Sequence, residues 1–281
     1  MVLSDGSAGA SAAAAADFFA RKTKKVEKLL TLQDFLKLPE LASKHGHDVD
    51  MLIIYIHWLM IALFVGWIVY FAYALFRFHH KRHPKADYVG VKSHASSYVE
   101  IAVAVVEGVI LIALAIPLWA RAVDEFPPEK ESTVVQVVAQ QFGWNVRYPG
   151  KDGIPGKQEM RFVKADNVFG IDPADPNGKD DVQVSDQVHV VVNKPVIIFL
   201  SSKDVIHSFK ILAMRVTQDA IPGMRIPLHF VPTHEGIYQI NCAQLCGNGH
   251  SAMAGGRLIV ESQEAFDKWL VSKSGAATSF E

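Results

Sequence analysis

Three kinds of patterning succeed one another along this chain. From Met51 to Phe76 it reads MLIIYIHWLMIALFVGWIVYFAYALF with no formal charge, longer than the roughly 20 apolar residues that carry a helix across hydrocarbon. Trp58, Trp67, Tyr70 and Tyr73 suit a lipid-exposed helix with amphipathic ends. His57, the one imidazole in the run, reads as a group that snorkels or caps near an interface rather than as a metal ligand. A second span runs from Tyr98 to Trp119, interrupted only by Glu100 and Glu107. The link between the spans holds Arg77, Lys81, Arg82, Lys85 and Lys92 against a single Asp87. Such an excess of cations marks the cytoplasmic side, so both termini are expected on the opposite face of the membrane.

Beyond Arg121 the long apolar runs give way to short β-rich ones: Thr133 to Tyr148, Gln187 to Val192, Pro195 to Ser201, Ile226 to Phe230, Gly236 to Asn241 and Gly256 to Val260. Gly, Pro, Asn and Asp separate them, which predicts an antiparallel sandwich or barrel. Glu264 to Lys273 predicts a closing helix with Ser262 as its N-cap. Ahead of the first span, Val26, Leu29, Leu30, Leu36 and Leu41 mingle with lysines and predict amphipathic helices on either side of Pro39. Ser11 to Ala16 is Ala-rich, but no basic segment precedes it, so a cleaved signal peptide fits poorly. The expected organisation is an N-terminal extension over 1–50, a transmembrane helical hairpin over 51–121 and an extramembrane domain over 122–281.

Composition adds two bounds. Hydrophobic residues are 50% of the 281 and charged ones only 20%, as expected if part of the chain sits in lipid. The formal net charge of −1 provides no basic field for nucleic acid. The only two cysteines, Cys242 and Cys246, share one Gly-rich segment, which points to metal or redox chemistry rather than a disulfide framework.

That segment, Cys242-Ala-Gln-Leu-Cys246-Gly-Asn-Gly-His250-Ser-Ala-Met253, gathers two thiolates, an imidazole and a thioether within twelve positions. Thiolate and thioether are soft ligands that select copper over hard cations, and imidazole suits copper too. A single blue-copper site needs one Cys; two Cys four apart can let each sulfur bridge two metals. His207, in Val205-Ile206-His207-Ser208-Phe209, would give the second metal its own imidazole, and the carbonyl of Gln244 lies between the thiolates. Gly247 and Gly249 let the loop fold closely. A Cys2His2 zinc site would waste Met253 and misses the usual spacings. His207 and Met253 taken singly would more often be core residues; the five-ligand set is far more specific.

The C-x3-C-x3-H-x2-M pattern, the upstream Val-Ile-His-Ser-Phe, the Asp219-Ala-Ile-Pro-Gly223 turn, the aromatic run Gln140 to Tyr148 and the two-span anchor together resemble the cytochrome c oxidase subunit II family. The resemblance covers about Met51 to Leu270. It implies a cupredoxin-like barrel outside the membrane and a binuclear copper (CuA) centre on His207, Cys242, Gln244, Cys246, His250 and Met253. It further implies electrons taken from a cytochrome c and passed to haem in subunit I, for oxygen reduction coupled to proton pumping. The implied setting is a bacterial cytoplasmic membrane, with the termini on the periplasmic side. Where the family often has Trp for electron uptake this chain has Phe142; Trp144 matches the second family Trp. Glu100 matches the family glutamate at the mouth of a proton path, whereas Glu107 stands where a Pro or similar residue is usual and reads as a group bonded to the large subunit. Gln244 replaces a Glu whose carboxylate helps hold magnesium at the subunit I interface, which counts against magnesium here.

Other functions fit less well. Nitrous oxide reductase carries the same centre but lacks this hairpin and needs a propeller domain. A CuA-containing nitric oxide reductase differs mainly in its partner. A non-catalytic copper carrier would favour exposed, exchangeable ligands. No CxxCH haem motif follows the domain, so a separate cytochrome donor is expected; Phe142, which offers no hydrogen bond, leads to the expectation of a donor held mainly by the assembly, such as a dedicated cytochrome subunit, rather than one steered by charge. Asp166, Asp172, Asp175, Asp180 and Asp181 read as a solvated acidic loop, with donor docking second and calcium third.

Overall fold

The computed structural model describes residues 36–86, 88–90, 92–150 and 152–274. The expectation for Val26 to Leu30 therefore falls outside the described residues. The two apolar runs form helices α1 (Gly46–Arg77, 32 residues) and α2 (Ala95–Val123, 29 residues). At about 1.5 Å per residue each exceeds the roughly 30 Å of bilayer hydrocarbon. α2 opens into a π turn over Ile110–Ala115. Pro117 follows directly and has no N–H to return to the carbonyl of Ala113, so the widened turn accommodates the break.

The extramembrane part is a β domain of three sheets. β3 (Val182–Ser185), β2 (Gly143–Tyr148), β1 (Thr133–Gln140), β5 (Val196–Ser202) and β8 (Ile226–Phe230) lie side by side in the largest. β10 (Asn241–Cys242), β6 (His207–Ile211) and β7 (Val216–Ala220) form the second, and β4 (Gln187–Val191), β11 (Arg257–Glu261) and β9 (Gly236–Gln239) the third. β5 is buried at six of its seven positions, as a strand enclosed on both faces must be. The core between the sheets centres on Trp144, Phe209, Ile198, Leu200, Ile240 and Met253. The closing helix α3 (Gln263–Ser274) is capped by Ser262, whose Oγ accepts the Ala265 N–H at 3.2 Å.

Four expectations are corrected. The pairing is mixed rather than antiparallel: β1 runs parallel to β5 and β4 parallel to β11. The aromatic run Gln140 to Tyr148 is not one continuous strand: Thr133 to Tyr148 forms a hairpin, β1 pairing with β2 across a turn at Gln141 and Phe142. Leu41 lies in no helix. Residues 40–44 form an extended strap on the domain: Ala42 N–H donates to the Ala213 carbonyl (2.8 Å) and Lys44 N–H to that of Val231 (3.0 Å), while the Ala42 carbonyl accepts the Thr233 N–H (2.8 Å). The bidentate Arg215–Asp50 pair (2.7 and 3.0 Å, both side chains buried) ties the first turns of α1 to the same place, so 40–50 belongs with the hairpin and the β domain rather than with a separate extension. Finally, the acidic loop is only partly solvated. Asp181 is buried on Arg147, whose Nε lies 3.0 Å from its Oδ2, and Asp175 caps a short 3-10 turn by accepting the Asn177 N–H.

Candidate metal centre

β6 and β10 pair so that Cys242 lies opposite Phe209, two residues after His207. The chain then leaves the sheet, turns through 243–249 and enters a 3-10 segment, His250–Gly255, that drives Met253 fully into the core. The donor atoms converge as a result. Cys242 Sγ and Cys246 Sγ lie 4.0 Å apart as free thiols. His207 Nδ1 is 3.1 Å from Met253 Sδ and 3.9 Å from Cys242 Sγ. Cys246 Sγ is 3.5 Å from Met253 Sδ and 3.4 Å from His250 Nδ1, and Cys242 Sγ is 3.1 Å from the Gln244 carbonyl. All six expected ligands thus share one site. His207, Cys242 and Cys246 place their donor atoms within 4.8 Å of one another.

The donor set fits copper. It offers two thiols, two ring nitrogens, a thioether and a carbonyl, with no side-chain carboxylate among them to favour a hard cation. Burial, reinforced by Cys242 alongside, pushes the Cys246 thiol up to about 11. A metal must therefore displace a proton the free thiol holds firmly.

The surroundings hold these groups in place. Asp204 Oδ1 lies 2.9 Å from His207 Nε2 and fixes the ring so that Nδ1 faces the sulfurs. Partial burial alone would raise the Asp204 carboxyl; the Gln141 N–H, the His207 ring and the Val205 N–H outweigh it and hold it below the usual range. Sequence patterning did not single out this residue, although an acid three positions before a candidate ligand histidine was the signal available. Nor did it single out Gln141, whose Nε2 donates to the Cys246 carbonyl at 2.6 Å.

Phe142 and Trp144 prove to have different surroundings. Phe142 sits in the β1–β2 turn, so strand alternation does not set its direction; it is 38% exposed. Its ring lies against the metal loop: a Cβ on Gly249 would come within 2.4 Å of it, and one on Gly247 within 3.1 Å. Those glycines make room for Phe142 as well as for the turn, and Gly247 takes φ +136°. Two carboxylates pin the turn, Asp204 accepting the Gln141 N–H (2.7 Å) and Asp186 the Trp144 N–H (2.9 Å). Trp144, 1% exposed, lies beneath the loop, edge-on to Phe209, and its Nε1–H donates to the Met253 carbonyl at 3.0 Å. It offers a donor no surface and instead steadies Met253. Glu100 and Glu107 lie on α2, both exposed in the single chain and far along the sequence from this site.

The chain is similar to several known proteins. Residues 133–262 match the family described as cytochrome c oxidase subunit II, periplasmic domain. Over 232 residues the chain is 32% identical to the alternative cytochrome c oxidase subunit 2 of Bradyrhizobium diazoefficiens, covering 82% of this chain and 81% of that one. It is also 32% identical over 237 residues to cytochrome c oxidase subunit 2 of Cereibacter sphaeroides, covering 78% and 76%. The solved periplasmic domain of subunit II of cytochrome oxidase from Bradyrhizobium japonicum superposes with a TM-score of 0.39 at 23% identity, over 54% of this chain and 99% of that domain. The extent of the match to the Bradyrhizobium diazoefficiens subunit, together with the two apolar helices and the β domain behind them, places the chain in the cytochrome c oxidase subunit II family, the electron-accepting subunits of haem-copper oxidases.

Proposed function

We propose that this chain holds two copper ions between His207 and the Cys242–Met253 loop and relays electrons from a cytochrome c to haem in subunit I. One observation carries the reading: six donor groups from two separate segments converge around two thiols 4.0 Å apart. Cys242, Cys246, His207, Met253, His250 and the Gln244 carbonyl would hold the pair. Bound there, copper would supply one-electron redox chemistry.

The residues of the chain do the rest. With every donor supplied by protein, no open position remains for a substrate, so oxygen is reduced on the partner subunit. Asp204 orients His207, and Trp144 braces Met253. Phe142 presents an apolar ring over the loop for the donor; lacking an indole N–H, it packs against a partner without bonding to it. Glu100, near the start of α2, is assigned to the mouth of a proton path into subunit I. The basic link between the helices is assigned to the cytoplasmic side of a bacterial membrane and the β domain to the periplasm.

Copper titration of the purified full-length chain tests the reading. Two coppers per chain are expected, with a purple colour and, after one-electron oxidation, an unpaired electron shared by both nuclei. A single copper, or a colourless zinc protein, would overturn it.

A further inference from the structure

Where the hairpin meets the β domain lies a cavity of about 930 Å3, within the roughly 300–1,000 Å3 typical of ligand sites. One wall is apolar and is built from the facing sides of the two membrane helices, with Leu52 from α1 and Leu118 and Trp119 from α2. The rim is charged: Lys44 and Arg121 against Asp48 and Glu125. The junction around it is fixed. Phe126 packs on His229 at 4.5 Å, His229 Nε2 lies 3.2 Å from the Arg121 carbonyl, and Arg121 Nη1 lies 3.6 Å from Asp48 Oδ2. His45, also in the lining, is held below the usual imidazole range by burial and so adds no fixed charge to the rim at neutral pH.

The cavity stands at the level where the spans leave the bilayer, because α1 begins at Gly46 and α2 ends at Val123. Its apolar wall continues down the same helices toward hydrocarbon. A water-soluble ligand would leave that wall unmatched, and a purely apolar one would bury the rim charges at a cost. A ligand with a polar head and an apolar tail matches both, and Trp119 is a residue typical of the headgroup level. The lining carries three cations and two anions, but Arg215 is already paired with Asp50; the remaining two of each sign complement a headgroup that itself carries both signs.

We propose that this cavity binds one zwitterionic phospholipid, with its phosphodiester on Lys44 and Arg121, its ammonium group on Glu125 and its acyl chains against Leu52 and Leu118. The proposal depends on the membrane hairpin and not on the metal centre. Full-length chain, purified in detergent and stripped of lipid, is titrated with dioleoylphosphatidylethanolamine or dioleoylphosphatidylglycerol and read by native mass spectrometry. The expected result is one phosphatidylethanolamine that survives collision energies removing the others. Phosphatidylglycerol should bind about tenfold more weakly, equivalent to about 1.4 kcal/mol. Leu118→Trp, which fills the apolar wall, should remove the retained lipid with the β-sheet circular dichroism unchanged; Lys44→Ala should weaken retention with the same fold. Equal retention of both lipids, or retention indifferent to Leu118→Trp, overturns the proposal, since lipid would then only coat the helices. A photoreactive group at position 118 that crosslinks to subunit I in the intact oxidase overturns it too, because the cavity would then belong to the subunit contact.

Discussion

Two polar clusters are buried in the β domain, and they are completed in different ways. At the Arg147 cluster every guanidinium nitrogen has an oxygen acceptor within the chain: Nε and Nη2 reach Asp181, Nη2 also the Gly156 carbonyl (2.8 Å), and Nη1 the Gln136 amide oxygen (3.2 Å). Asp181 also accepts the Gly156 N–H at 3.1 Å. At the metal centre the inner groups face one another instead. Thiol meets thiol and ring nitrogen meets thioether at 3.1–4.0 Å, contacts in which sulfur is a poor partner. Their strong hydrogen bonds come from behind, from Asp204 and Trp144. A cluster whose cation is fully matched within the chain serves the fold, even with Asp181 Oδ1 left without a partner among the described residues, whereas one supported from behind with soft atoms turned inward is suited to an ion.

That contrast predicts opposite outcomes when each cluster is cut. Cys242→Ser or Cys246→Ser should abolish the two-copper spectrum, since a hydroxyl is a poor soft bridge, and should change the stability of the metal-free chain little. Copper titration and metal-free thermal unfolding together read both. Asp181→Ala should do the reverse. It leaves the Arg147 guanidinium buried without its counter-charge, a loss of about 3–5 kcal/mol, visible as a lower unfolding midpoint in chain that still takes up two coppers when folded. A copper deficit in folded Asp181→Ala would erase the distinction between the clusters.

A smaller effect should come from the support behind the ligands. Asp204→Asn keeps a group beside His207 but removes the charge that orients its ring. Outer partners of metal-bound histidines are typically worth about 10–100-fold in metal affinity. Competition with a copper chelator should show a loss of that order while two coppers still bind at saturation. An unchanged affinity would mean that the sheet alone positions His207.

The same contrast explains how much could be read from the sequence. The donor loop was legible because five of the six converging donor groups sit in twelve consecutive residues, where spacing and softness speak without a fold. The membrane helices were legible from run length alone. Asp204 and the Arg147–Asp181 pair were not, because their roles come from chain brought together across 34 residues or from a loop position where an Asp is unremarkable in sequence. β6 and β7 escaped notice because His207-Ser-Phe-Lys-Ile and Val216-Thr-Gln-Asp-Ala mix polar with apolar positions, one strand carrying a ligand and the other half exposed. The parallel pairing of β1 with β5 is likewise a property of topology, absent from either strand's own pattern.

A third buried group, His189, lies between the two cases and gives the smallest predicted effect. Its Nδ1 is 2.8 Å from Glu261 Oε1 and its ring stacks on Trp269 at 3.8 Å, while Nε2 has no partner among the described residues. Burial lowers its proton affinity, and the hydrogen bond and charge of Glu261 only partly restore it; Lys273 opposes protonation further. In the unfolded chain the imidazole titrates near its ordinary 6.5. As pH falls through that value the unfolded state takes up a proton more readily than the folded one, so stability is present above it and lost below it. His45 shifts in the same direction, so the two contributions must be separated. Thermal midpoints of the metal-free full-length chain between pH 7.5 and 5 should fall with acid, and His189→Gln should flatten part of that slope while leaving the His45 part. A slope identical in His189→Gln would show that Glu261 compensates fully for the burial.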